Sequence, residues 1–318
     1  MQHLPDTDQA ATFLAARFSG AASDVAPLGA GVWSRAFAFR RAGRDYVIRF
    51  GLHGDDFARD RLAAAFAGPA LPVPAVLELG EAFDGYYAVA DRVYGSYIDD
   101  VDAAQMRRLL PALFAALDAM RLADLSHTTG YGGWGDAGNS PCASWRAALL
   151  DVANDRPGHR THGWRARLAA SAVGSAPFDT AYRALDGLAG DLPDLRCLIH
   201  SDLLHFNVLV EGERISGVLD WGCAMTGDFL YDLAWFCFWK PWYPAWQRID
   251  FEQEARRHYA AIGLAVPGFE QRLLCCQLHI GLAGMAYQAY AGDWGNLEST
   301  ARRAMELASG YSSASSNC

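Results

Sequence analysis

Residues 198–222 read "LIHSDLLHFNVLVEGERISGVLDWG". Two apolar runs, "NVLV" and "ISGVLD", flank a turn at "EGER", the pattern of a β-hairpin. Asp202 stands before the hairpin, Asn207 at its start and Asp220 at its end. The ribbon thus holds two carboxylates and an amide at set separations, so the rest of the chain must show what they serve.

Upstream of this stretch the chain changes character. After an amphipathic helix in "TDQAATFLAARF", residues 24–50 read as three short strands, "DVAPLG", "SRAFAFR" and "RDYVIRF", with turns at "GAGVW" and "RAG". A helix over residues 55–67 follows, with Phe57, Leu62 and Phe66 expected on one face. "LPVPAVLELG" and "GYYAVADRVYG" are extended, the prolines of the first forbidding a helix. Residues 1–94 are therefore expected to form a small lobe of five antiparallel strands and an inserted helix. Residues 95–310 carry mainly helical periodicity, interrupted by the hairpin, and 311–318 read as a disordered tail. The fold class is α+β, in two unequal lobes.

The 318 residues suffice for such a division, and 52% hydrophobic with 20% charged residues is an ordinary globular balance. No apolar run reaches the ~20 residues of a membrane helix, so no membrane partner is expected. Seven cysteines without a C-x-x-C pair suit reduced thiols and a cytoplasmic location. The net charge of −9 disfavours nucleic acid, whose phosphates call for clustered Lys and Arg. It suits a cationic small molecule steered into an acidic cleft. Lys240 is the single lysine, so any task usually given to lysine falls to it or to an arginine.

Asp202, Asn207 and Asp220 match the needs of phosphoryl transfer from a magnesium nucleotide to an alcohol. One carboxylate orients the acceptor hydroxyl and accepts its proton, while an amide oxygen and a second carboxylate hold the metal that bridges the phosphates. Magnesium takes hard oxygen ligands, a few from protein and the rest from water and phosphate. The five-residue step from Asp202 to Asn207 lets one loop aim both side chains into a cleft, and the hairpin returns Asp220 beside them.

"HSDLLHFN" followed by "GVLDWG" resembles the catalytic loop and metal-binding segment of the aminoglycoside phosphotransferase family, with its protein-kinase-like fold. Ser201 replaces a usual smaller residue, and His205 sits one place later than the family's common histidine, so it receives no chemical role. His200 is expected to brace the loop. The resemblance implies Asp202 as catalytic base and Asn207 and Asp220 as Mg2+ ligands. It implies a nucleotide, ATP with GTP as alternative, bound by the small lobe. "LGAGVWSRAF" would lay Gly31 and the Ser34 hydroxyl over the phosphates. Arg49 in "YVIRF" occupies the place of the kinase lysine, with Asp60 as its acidic partner. Adenine would bond backbone groups at Ala90–Arg92. No G-x-x-x-x-G-K-[ST] is present, which excludes a P-loop enzyme.

Softer stretches, including "LPVPAVLELGE", "ADLSHTTGYG" and "HIGLAGMAYQAY", are similar to the branch of the family that acts on hygromycin-type aminocyclitols. That implies an aminoglycoside acceptor, a resistance role and a monomeric enzyme. A kinase for a sugar, a choline-like alcohol or a macrolide is the alternative, and a non-catalytic nucleotide-binding module a further one. In "GDFLYDLAWFCFWKPWYPAW", Asp228 is a candidate for substrate amines, and Asp232 is expected to tie the metal loop to its helix. Trp239 is a candidate wall for sugar rings. "GYGGWGDAGNSP", with Trp134 and Asp136, reads either as a lid over the substrate or as a surface connector.

Overall fold

A computed structural model describes residues 4–315, apart from the side chains of Asp136 and residues 311–315. Helix α1 (Thr7–Arg17) starts in a capping box: the Asp6 carboxylate accepts the Gln9 N–H, and the Gln9 side chain accepts the Asp6 N–H. Strands β1 (Ala22–Ala30), β2 (Ser34–Arg41), β3 (Arg44–Gly51), β4 (Val76–Ala82) and β5 (Gly85–Asp91) form one antiparallel sheet in the order β1-β2-β3-β5-β4. Alternation along the strands puts Phe37, Phe39, Ile48, Phe50 and Val89 into one small core with Leu14 and Phe18. The five expected strands are present, with a helix after the third.

That helix, α2 (Gly54–Ala63), buries a different face from the expected one. Phe57, Asp60 and Ala63 point inward, while Leu62 and Phe66 are only partly buried. A carboxylate on the buried face requires a partner, and Arg49 of β3 supplies it.

The remaining helices are α3 (Ala103–Arg121), α4 (Trp145–Leu150), α5 (Trp164–Ala170), α6 (Ala176–Leu188), α7 (Leu230–Trp239), α8 (Phe251–Ala261), α9 (Phe269–Ala291) and α10 (Trp294–Ser315). They enclose a second apolar core, built around Leu113, Trp145, Trp221, Phe236 and Leu278. Two separate cores give the chain its two lobes. Helix α10 reaches Ser315, into the stretch expected to be a tail. Nothing after Gly310 breaks a helix, and each added residue gains a backbone bond. Residues 316–318 lie outside the described residues. Among the described residues no helix is long and apolar enough to cross a membrane.

Short strands bring the opening segment together. The hairpin pairs β9 (Val208–Glu211) with β10 (Arg214–Val218), and its turn carries Gly212 at a φ of +63°. Strand β6 (Ser96–Tyr97), just after the small sheet, pairs with β9. Upstream of the hairpin, β8 (Cys197–Ile199) pairs with β11 (Met225–Gly227), which pairs in turn with β7 (Gly132–Gly133). The chain from 197 to 227 therefore closes on itself, so the loops at 200–207 and 219–224 lie side by side. A Cβ on Gly227 would stand 2.2 Å from the Trp145 ring, so only glycine permits this closure.

Candidate active site

The loop at 200–207, the candidate catalytic loop, is held by a buried anchor. Asp232, 2% exposed on α7, accepts the backbone N–H groups of His200 at 2.9 Å and Ser201 at 2.8 Å. It therefore ties the catalytic loop, not the metal loop, to its helix. His200 is fully buried: its Nε2 donates to the Leu219 carbonyl at 2.8 Å and its Nδ1 accepts the Asp202 N–H at 3.2 Å. This is a bracing imidazole that couples the two loops.

Above that anchor, Asp202 and Asn207 touch. The Asn207 Nδ2 donates to the Asp202 carbonyl at 2.8 Å and to its Oδ2 at 3.0 Å. With the amide nitrogen committed, the Asn207 carbonyl oxygen remains as a hard donor for a cation. The other Asp202 oxygen, Oδ1, lies 2.9 Å from the His205 Nδ1, a contact the sequence did not signal. Burial works against a proton on His205, but the Asp202 carboxylate outweighs it and holds the imidazole pKa above its usual value. Each Asp202 oxygen keeps a free lone pair, and the side chain is 30% exposed.

Asp220 closes the site from the hairpin's far end, where its Oδ2 accepts from Arg49 Nη2 at 2.9 Å. Arg49 Nη1 reaches Asp60 Oδ2 at 2.7 Å, and Asp60 Oδ1 accepts the Trp221 N–H at 2.7 Å. One guanidinium fork thus spans two acids that a lysine would have to choose between. Burial opposes the Arg49 charge, but Asp220 and Asp60 outweigh it and raise its pKa. Burial likewise pushes the Asp60 carboxyl up to about 6, whereas Arg49 holds Asp220 below its usual value against the same effect.

Backbone strain gathers in the same place. Ser201, His205, Phe206 and Asp220 all adopt the left-handed region, with φ between +57° and +71°. Non-glycine residues persist there only where the surroundings enforce it, as functional loops do.

Other expected residues fall differently. Gly31 and Ser34 meet at the β1–β2 turn through a 2.8 Å backbone bond, Gly31 N–H to Ser34 carbonyl, at the exposed end of the small sheet. Arg92 cannot offer its N–H to adenine, because the Asp45 carbonyl takes it, and Ala90, near the end of β5, is paired on both sides, with Val47 of β3 and Val76 of β4. Asp228 is fully buried and bidentate with Arg272, at 2.7 and 2.8 Å, so it cannot meet substrate. Trp134 is also core, 3% exposed with Nε1 bonded to Thr226, and its segment is fastened by the β7–β11 pairing. That fastening removes the lid reading for this segment, while the side chain of Asp136 lies outside the described residues. Trp239 is 7% exposed, yet its ring stands 5.3 Å from His205.

Further contacts that the sequence did not signal join the two lobes. Trp33, between Gly31 and Ser34, stacks on Tyr290 of α9 with centroids 6.3 Å apart. Tyr287 of the same helix is 37% exposed, and burial, followed by the Asp202 charge, raises the pKa of its phenol. Arg59 of α2 donates to the carbonyls of Trp134 and Gly222, and Arg160 pairs with Asp55 and Asp56, so ionic and polar contacts join the lobes.

A model of the phosphotransferase enzyme family matches residues 24–267. The chain belongs to that family. It is 34% identical over 275 residues to the hygromycin-B 4-O-kinase of Escherichia coli, spanning 85% of this chain and 76% of that protein. The crystal structure of aminoglycoside phosphotransferase APH(4)-Ia matches with a TM-score of 0.82 and 31% identity, over 94% of this chain and 97% of that one. A thermostable mutant of the same enzyme, holding AMP-PNP and hygromycin B, matches at 0.80 and 32%, over 93% and 97%. The fold is shared more widely: a macrolide 2′-phosphotransferase from Brachybacterium faecium matches at 0.57 with 21% identity, over 94% and 97%. The kinase-like fold expected from the sequence is thus borne out.

Proposed function

We propose that this protein transfers the γ-phosphoryl group of ATP to a hydroxyl of hygromycin B or a closely related aminocyclitol, and so confers resistance. The observation that supports the reading is the joining of two loops: Asn207 holds Asp202, the Asn207 backbone carbonyl accepts the Leu219 N–H at 2.7 Å, and the next residue, Asp220, is held by Arg49 of the small lobe. Similarity along most of the chain to a hygromycin-B kinase supports the acceptor.

Asp202 receives the acceptor hydroxyl on the free lone pairs of its carboxylate and takes its proton as the oxygen attacks. Asn207 and Asp220 suit Mg2+, because each presents a hard oxygen and the nucleotide and water can complete the shell. Bound there, Mg2+ would neutralise charge on the phosphates. Arg49, which holds Asp220 through one arm of its guanidinium and Asp60 through the other, would be free to bond a phosphate oxygen with the first arm if Asp220 bound a cation. ATP as donor places the reaction in the cytoplasm.

The test is ADP release by the purified protein with Mg-ATP or Mg-GTP against hygromycin B, other aminoglycosides, macrolides, sugars and amino alcohols. Turnover confined to hygromycin-type acceptors is the expected result. Turnover only with a metabolic alcohol or a macrolide would overturn the acceptor, and none with any would overturn the reading.

A further inference from the structure

His205 and Phe206 are consecutive non-glycine residues in the left-handed region, a costly conformation that needs an external cause. The cause is Asp99, in the turn after β6, at the junction of the lobes. Its Oδ1 accepts the His205 N–H at 2.8 Å and its Oδ2 the Phe206 N–H at 3.0 Å. The Tyr243 hydroxyl, from the segment after α7, donates to the same Oδ1 at 2.6 Å and fixes the carboxylate's orientation. Charge-assisted bonds of this kind are strong enough to hold such a turn. Because the backbone turns there, the His205 ring swings back over its own loop. Its Nδ1 arrives 2.9 Å from Asp202 Oδ1, with the edges of Trp235 and Trp239 beside it.

We propose that Asp99, held by Tyr243, and His205 are positioning residues that set the Asp202 carboxylate for the acceptor hydroxyl. Asn207 fixes one oxygen of Asp202 and His205 the other, so the carboxylate plane is defined from both sides. The inference rests on Asp202 being the carboxylate that meets the acceptor. Since Asp99 belongs to the inter-lobe link, the orientation of Asp202 depends on how that link is seated. Rate losses of a hundredfold from small misplacements are usual in such sites.

The experiment pairs kinetics with amide exchange. His205→Asn retains a nitrogen at the Nδ1 position and tolerates the left-handed turn, whereas His205→Ala removes the nitrogen. The alanine variant should lose at least about tenfold in kcat with the KM for ATP unchanged, and the asparagine variant should restore kcat to within about threefold of the wild type. Wild-type kcat in His205→Ala, equal loss in both variants, or an effect confined to the acceptor KM would each overturn the proposal. Asp99→Asn should quicken amide exchange at residues 205 and 206, with Tyr243→Phe acting more weakly in the same direction. Unchanged protection in Asp99→Asn would overturn the brace whatever the acceptor proves to be. A wild type that turns over no acceptor would count against the function alone, because the exchange measurement needs no substrate.

Discussion

Arg49 and Asp220, 171 residues apart in sequence, meet at 2.9 Å across the cleft between the lobes. The contact joins the central strand of the small lobe's sheet to the end of the hairpin in the helical lobe. It gives the cleft a defined charge arrangement before any nucleotide arrives.

Replacing Arg49 tests that arrangement. Arg49→Ala leaves Asp60, whose side chain is 10% exposed, without its cation. A stability loss of about 3 kcal/mol is expected, as for other broken buried pairs. The KM for ATP should rise about tenfold or more, since 1.4 kcal/mol of phosphate binding already amounts to that. Arg49→Lys should fall between, because one ammonium cannot hold both acids. Denaturant melts together with initial rates against ATP read both effects, and an unchanged KM for ATP in the alanine variant would leave Arg49 a purely structural residue.

Asp202→Ala removes the group proposed to take the acceptor's proton. A fall in kcat of about 10²- to 10⁴-fold is expected, with nucleotide affinity nearly unchanged. Rapid-quench turnover and nucleotide titration separate the two. Full activity in this variant would end the catalytic assignment.

Asp220→Asn is the sharper probe of the metal, because asparagine tolerates the left-handed φ of +57° and keeps the residue's shape. The charge paired with Arg49 is lost, so a modest fall in melting temperature is expected, limited by the side chain's 44% exposure. Nucleotide affinity measured by calorimetry should no longer respond to Mg2+. A retained magnesium response would place the metal elsewhere.

Much of this site was legible because its parts are close in sequence. Asp202 to Asn207 is one loop, and the apolar alternation of 208–218 marks the hairpin that returns Asp220. What escaped the sequence depends on partners far along the chain. Asp228 reads as an exposed helix-start carboxylate until Arg272, 44 residues on, is seen beside it. Trp134 reads as a lid residue until Thr226, 92 residues on, receives its N–H. Asp99 had no signal at all, since the amides it holds lie 106 and 107 residues away. The Asp45 carbonyl that occupies the Arg92 N–H is similarly a tertiary fact.

The α7–α9 packing that carries Asp232 should be acid-sensitive. His279 on α9 is 7% exposed, and its Nδ1 lies 2.8 Å from the Tyr231 hydroxyl of α7. Burial lowers its pKa from 6.5 to about 4. The unfolded chain therefore binds a proton on this ring below pH 6.5 while the folded one resists it until about 4. Stability is full above 6.5 and lost as pH falls through that window, by at most about 1.4 kcal/mol per pH unit. His279→Gln can still accept the Tyr231 hydroxyl but cannot titrate. Urea unfolding between pH 7 and 4.5 should show the wild type losing stability relative to this variant; parallel pH curves would remove His279 as the cause.

The buried Asp228–Arg272 pair tests the boundary between architecture and substrate recognition. Both side chains are nearly inaccessible, at 1% and 4%, and Asp228 Oδ1 also accepts the Leu230 N–H that opens α7. Asp228→Ala strands a guanidinium in the core, so a loss of about 3–5 kcal/mol is expected. The folded fraction that remains should show an unaltered acceptor KM, because no contact with the cleft has been removed. Thermal melts and acceptor titrations on the same sample decide the matter. Normal stability with a raised acceptor KM would mean that Asp228 reaches the substrate after all, since a carboxylate locked to Arg272 can influence the reaction only through the seat of α7 and the catalytic loop that Asp232 fastens to it.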